Sequence, residues 1–118
     1  MSPPLYNQTK TSRKKAGLSQ DDVAFLLGKE SGSYVSRVEQ NKITPDLFTA
    51  LSYQILFDIQ VHQMFAGIYT EIQPILITRI AKLTNILEKK GGSLKIRKRI
   101  VILNEVARTI ANDNSKSI

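Results

Sequence analysis

Cysteine is absent from this chain, so neither a disulfide framework nor a thiolate metal site is available to it. Histidine occurs once, at His62, which rules against an imidazole-based metal centre or acid–base pair. No apolar run is long enough to span a bilayer, and the opening MSPPLYNQTK lacks the apolar stretch of a signal peptide. No nucleophile–base pair, metal-ligand cluster or phosphate-cradling glycine loop stands out, so catalysis is not expected and no cofactor or metal is implied. These absences predict a soluble, cytoplasmic, non-enzymatic protein.

What is present is a modest core and an excess of positive charge. With 118 residues, 42% of them apolar, the chain has room for one small domain and an appendage. The net charge of +7 points to an acidic partner. That charge is uneven. Residues 1–74 carry seven basic side chains (Lys10, Arg13, Lys14, Lys15, Lys29, Arg37, Lys42) and seven acidic ones (Asp21, Asp22, Glu30, Glu39, Asp46, Asp58, Glu71). Residues 75–118 carry ten basic side chains against three acidic, Glu88, Glu105 and Asp113, so the whole surplus lies there.

Apolar spacing and cap residues divide the chain into helices. Pro3 and Pro4 mark an irregular start, and a first helix from about Gln8 ends at Gly17, placed as a left-handed cap. Ser19 is an N-cap, with Asp21 and Asp22 at the positive end of a second helix. Val23, Ala24, Leu26 and Leu27 form its apolar face, and Gly28 closes it. Ser31 caps a third helix near Gly32–Gln40 with Val35 and Val38 inward. Thr44 caps a fourth, Pro45 opens it, and its stripe is Leu47, Phe48, Leu51 and Ile55. A fifth follows Asp58 with Val61, Met64, Phe65 and Ile68. A break or kink is expected at Pro74, then a stripe of Ile75, Leu76, Ile80, Leu83 and Leu87. After KKGG the spacing resumes at Ile96, Ile100, Leu103, Ala107 and Ile110, before a frayed NDNSKSI tail. The expected fold class is all-α, with a domain over residues 1–73 and a basic helical extension over 74–118.

The stretch LSQDDVAFLLG…YVSRVEQNKITPDLFTALSYQILFDIQVHQMF resembles the helix-turn-helix domain of lambda-repressor-like, or Cro/xenobiotic-response-element, transcription regulators. The resemblance covers about residues 7–69. It rests on Ser-Gln opening helix two, on Ala24 and Gly28 at four-residue intervals, on VSRVE in helix three, and on a proline-initiated helix four. It implies a five-helix bundle that places helix three in the DNA major groove, commonly as a dimer. Three departures stand out. The turn GKESG is one residue longer than usual, since the usual spacing would bury Arg37. Asp58 stands where the family commonly has glycine, and Gln60 replaces a hydroxyl cap.

With Val35 and Val38 inward, a rotation of roughly 100° per residue turns Ser33, Ser36, Arg37 and Gln40 outward, with Tyr34 at the flank. The resemblance makes Ser33, Tyr34 and Arg37 base readers, with Glu30 and Ser31 approaching from the turn. Arg37 either forks onto guanine, worth about 1–3 kcal/mol of discrimination, or pairs with Glu39, Glu30 or a phosphate. Tyr34 either stacks on the DNA or covers the helix's first turn. Gln20 resembles the family's phosphate-contacting glutamine, and Asn41 and Lys42 resemble backbone clamps. Arg13, Lys14 and Lys15 either complement the end of helix one or meet phosphate.

Lys95, Arg97, Lys98 and Arg99 crowd a helix start, where the dipole disfavours cations, which points to an external anion or to a solvated basic face. The two C-terminal stripes need partners, and dimerisation is the favoured use. The expected protein is a prokaryotic or phage-type repressor that binds double-stranded DNA as a homodimer. Two alternatives remain open: an antitoxin-type regulator that holds a partner protein with its C-terminal helices, and an adaptor without DNA binding.

Overall fold

Helix boundaries follow the caps that the sequence supplies. The computed structural model describes residues 7–116, with side chains through residue 113, and every regular element among them is helical. In chain order these are α1 (Thr9–Lys15), α2 (Gln20–Leu27), α3 (Gly32–Glu39), α4 (Leu47–Phe57), α5 (Val61–Met64), α6 (Ala66–Lys89) and α7 (Leu94–Lys116). The chain divides into two compact units between Tyr69 and Thr70, inside α6. The expected irregular start at Pro3 and Pro4 lies outside the described residues.

Ser19 caps α2 reciprocally: its hydroxyl accepts from the Asp22 amide, while the Asp22 carboxylate accepts from the Ser19 amide. Gly28 ends α2 at φ 74°, a left-handed conformation that glycine adopts without steric cost. Ser31 caps α3. The core of the first unit is Val23, Ala24, Leu27, Val35, Val38, Ala50, Tyr53, Met64 and Phe65. Val35 and Val38 are 0% and 1% exposed, so the longer-turn reading of α2–α3 places them correctly. Burying each side chain stabilises the unit by about 1.5–3 kcal/mol.

Helix α4 departs from expectation twice. Its N-cap is Asp46, not Thr44: the Asp46 carboxylate accepts from the Thr49 amide at 2.8 Å, and Pro45 stays outside the helix. Its inward residues are Thr49, Ala50 and Tyr53, whereas the expected stripe of Leu47, Phe48, Leu51 and Ile55 is exposed, Ile55 by 81%. The sequence LFTALSYQILF is apolar almost all round, so its spacing marks no single face, and tertiary packing chose the inward one. Leu26, expected inward on α2, is exposed for the complementary reason: Val23, Ala24 and Leu27 already fill that face.

The junction after α4 bears the cost anticipated at Asp58, which adopts φ 52° without being glycine. Gln60 makes no side-chain cap for α5; instead the Gln54 side-chain oxygen accepts from the Val61 amide at 2.9 Å.

In the second unit the expected break at Pro74 does not occur. α6 runs through it for 24 residues, and the Pro74 carbonyl accepts from the Thr78 hydroxyl at 3.0 Å. One lost amide bond and local crowding, about 3 kcal/mol, are outweighed by the helical bonds on either side. In the second unit the shielded positions of α6 are Gln73, Ile77, Ile80, Thr84 and Leu87, so Ile75, Leu76 and Leu83 of the expected stripe lie exposed. Those of α7 are the expected Ile96, Ile100, Leu103, Ala107 and Ile110. Ser93 caps α7 by accepting from the Ile96 amide, and the helix continues through the NDNSK segment expected to fray. The final residues 117–118 lie outside the described ones. No helix among the described residues is long and apolar enough to cross a membrane.

Candidate nucleic-acid interface

The start of α2 and the outer face of α3 enclose a concavity of about 760 Å³. Two close approaches build it. The Gly32 amide donates to the Asp21 carboxylate at 2.8 Å, locking the first turn of α3 onto the first turn of α2. A Cβ at position 32 would stand 2.7 Å from that carboxylate oxygen and 2.9 Å from the Gln20 Cβ, so only glycine fits.

Next to the rim residue Gln20, Arg13 and Glu39 form an ion pair. Arg13 Nε and Nη2 donate to the two Glu39 carboxylate oxygens at 2.7 and 3.2 Å, and Arg13 Nη1 donates to the Leu18 carbonyl at 3.0 Å. The hydrogen bond to Glu39 raises the Arg13 pKa further above its ordinary value, against the opposing effect of burial. The Gln20 side-chain amide donates to the same carboxylate at 3.1 Å. One buried pair therefore ties α1 to the end of α3 and orients Gln20 at the rim.

Seven of the expected DNA-contacting residues line the concavity. From α2 and the turn come Gln20 and Ser31; from α3 and beyond come Ser33, Ser36, Arg37, Gln40 and Lys42. Arg37 is exposed, donates only weakly to the Ser33 carbonyl at 3.4 Å, and forms no ion pair among the described residues. The alternative in which it pairs with Glu39 does not arise, because Glu39 is engaged by Arg13. The Ser31 and Ser33 hydroxyls lie 2.7 Å apart, and the Gln40 amide donates to the Ser36 hydroxyl at 3.0 Å.

Three expected residues stand apart from this lining. Tyr34 is half-buried, donates to the Thr49 hydroxyl at 3.4 Å, and lies under the Lys29 ammonium at 4.5 Å, so it covers the first turn of α3. Asn41 adopts φ 58° and accepts from the Asn7 side-chain amide at 2.7 Å, which pins the chain after α3. Glu30 is exposed in the turn.

Arg13 needs correction as an auxiliary phosphate contact: it is 8% exposed and committed to Glu39. Lys14 and Lys15 are exposed at the end of α1. In the second unit Lys95, Arg97, Lys98 and Arg99 are all exposed on the first turns of α7. Ser19, a cap whose hydroxyl can also meet a phosphate, lines the concavity too, and sequence reasoning missed Asp21 and Gly32 there. The capping pattern signalled Asp21 only as a helix stabiliser. The described residues hold no cluster of histidine and acidic side chains able to bind a metal ion.

Residues 10–61 match the family model described as Helix-turn-helix. No curated protein and no solved structure matches the chain. The matched segment begins in α1 and ends at the start of α5, and it contains the whole α2–α3 concavity. Residues 10–61 therefore form a helix-turn-helix domain of the lambda-repressor/Cro-like type, the domain type of DNA-binding transcription regulators.

Proposed function

We propose that the protein is a sequence-specific repressor that binds its operator as a dimer, acting in a prokaryotic or phage setting without catalysis. The observation that carries this reading is the split of α3 into a buried side, Val35 and Val38, and an outward side bearing Ser33, Arg37 and Gln40. A helix so divided, with an unpaired guanidinium and short hydroxyls facing out, suits the major groove. Arg37 reads a guanine edge, while Ser31, Ser33 and Gln40 contact neighbouring bases or phosphates. Gln20, held by Glu39, and Lys42, across the concavity, bracket it as backbone clamps. Lys14 and Lys15 extend the phosphate contacts. Occupying the operator excludes polymerase.

Residues 1–69 carry seven basic and six acidic side chains, so phosphate neutralisation by one such domain contributes little. Two linked copies on one face of the duplex resolve this, with half-sites about 34–36 Å apart or a multiple of that. Selection of bound duplexes from a random pool tests the reading. A palindrome with half-sites at helical-turn spacing is the expected result. Sequence-blind retention by the purified protein would overturn it. Arg37→Ala should relax the preference at one base pair per half-site and leave the melting temperature unchanged.

A further inference from the structure

The second unit carries an apolar side that the two-helix arrangement leaves uncovered. The shielded positions of α6 and α7 alternate by four and three residues, the 3.5-residue period of a coiled-coil seam. Leu87 and Ile96, Thr84 and Ile100, Ile80 and Leu103, Ile77 and Ala107, and Gln73 and Ile110 stand within one residue of equidistant from the turn at 90–93, as an antiparallel hairpin requires. In such a hairpin, the residues that precede the seam positions on both helices share one side, and those that follow them share the other.

The two sides differ sharply. The preceding positions are Ile72, Leu76, Leu83 and Ile86 on α6 and Ile102 and Val106 on α7, each 38–59% exposed. Arg79 and Thr109 interrupt them, as do Lys95 and Arg99 at the turn end of α7. The following positions include Thr78, Asn85, Glu88, Arg97, Asn104 and Arg108, with Val101 the large apolar exception.

We infer that a second copy of this chain docks on the apolar side, and that the two hairpins form a four-helix bundle with their turns at opposite ends. The inference rests on the dimeric reading above and deepens it by assigning the surface. Size supports a second copy. A face about 35 Å long and roughly 20 Å across is on the order of the ~800 Å² per partner that a stable interface buries. Charge sets the orientation. Six basic residues, Lys89, Lys90, Lys95, Arg97, Lys98 and Arg99, crowd the turn end, so two turn ends together would repel. Opposed turns separate them. Both the seam period and the lengths of α6 and α7, 24 and 23 residues, suit such a bundle.

Light scattering on the full chain tests this. The wild-type protein should have twice the 13.3 kDa chain mass. The double variant Leu83→Lys/Val106→Lys should fall to the single-chain mass at the same concentration, with its circular-dichroism helicity kept, since both positions are exposed in one copy. If lysine costs helicity, Leu83→Ala/Val106→Ala is read the same way. Asn85→Lys/Asn104→Lys, on the opposite side, should stay dimeric. A single Gly92→Cys in this cysteine-free chain, where an added Cβ meets nothing within 4 Å, should give no disulfide-linked dimer on oxidation. A double variant that remains dimeric overturns this surface and leaves the dimeric reading standing. A monomeric wild type overturns both, and a Gly92→Cys cross-link overturns the orientation.

Discussion

At the scale of single residues, the first unit depends on one ion pair that the sequence does not announce. Arg13 and Glu39 lie 26 positions apart, and their side chains are 10% and 3% exposed. Removing one partner leaves the other charge buried, so Glu39→Ala should destabilise the protein by about 3 kcal/mol in urea denaturation. The same change frees Gln20, so operator affinity measured below the unfolding range should fall as well. Asp46 acts more gently. The Thr49 backbone amide, and then its side chain, hold the Asp46 carboxyl below its ordinary pKa. Because the folded value is the lower one, the cap stabilises α4 in full above about pH 4 and is lost as pH falls through the folded pKa. Asp46→Ala should therefore lower the melting temperature at pH 7, and the gap from wild type should close in acid.

At the scale of elements, the α2–α3 junction and α4 respond oppositely to substitution. Gly32→Ala would drive a methyl group against Asp21 and Gln20, so α3 must tilt or slide. The expected cost is about 1–3 kcal/mol, with DNA affinity reduced beyond what the stability loss explains. Ile55 sits on the exposed side of α4, so Ile55→Lys should change stability by no more than about 0.5 kcal/mol despite removing a large apolar residue. Chemical denaturation separates these two outcomes cleanly. Local signals made α2 and α3 legible: a cap, a left-handed glycine and two valines in step. α4 was legible as a helix but not in its orientation, because residues apolar on nearly every side satisfy several rotations equally well. Pro74 does not break α6 for the converse reason, since a strong local preference yielded to the long helix around it.

At the scale of the whole molecule, the charge is divided between the two units. Residues 70–118 carry ten basic and four acidic side chains, whereas the first unit is close to neutral. If α3 supplies selectivity and the basic turns of α7 supply phosphate contacts, the two contributions separate on titration with salt. Changing Lys95, Arg97, Lys98 and Arg99 to glutamine should weaken binding to all sequences alike. It should also flatten the slope of log affinity against log salt by up to about 0.9 for each phosphate no longer neutralised. Arg37→Ala should instead alter sequence preference with little change in that slope unless its partner is a phosphate.

Much of the protein was decided by the chain alone: where most of the helices start and stop, the inward valines of α3, the lengthened turn before it, and the seam of α7. Each of these depends on neighbours a few residues away, where caps, backbone conformation and helical period act directly. The tertiary structure alone decided that Arg13 pairs with Glu39, that Tyr34 turns to Thr49, that α4 faces inward with Thr49, Ala50 and Tyr53, and that α6 continues through Pro74. Those outcomes depend on partners distant in sequence or on the balance of a whole helix against one residue, which local period and propensity do not encode.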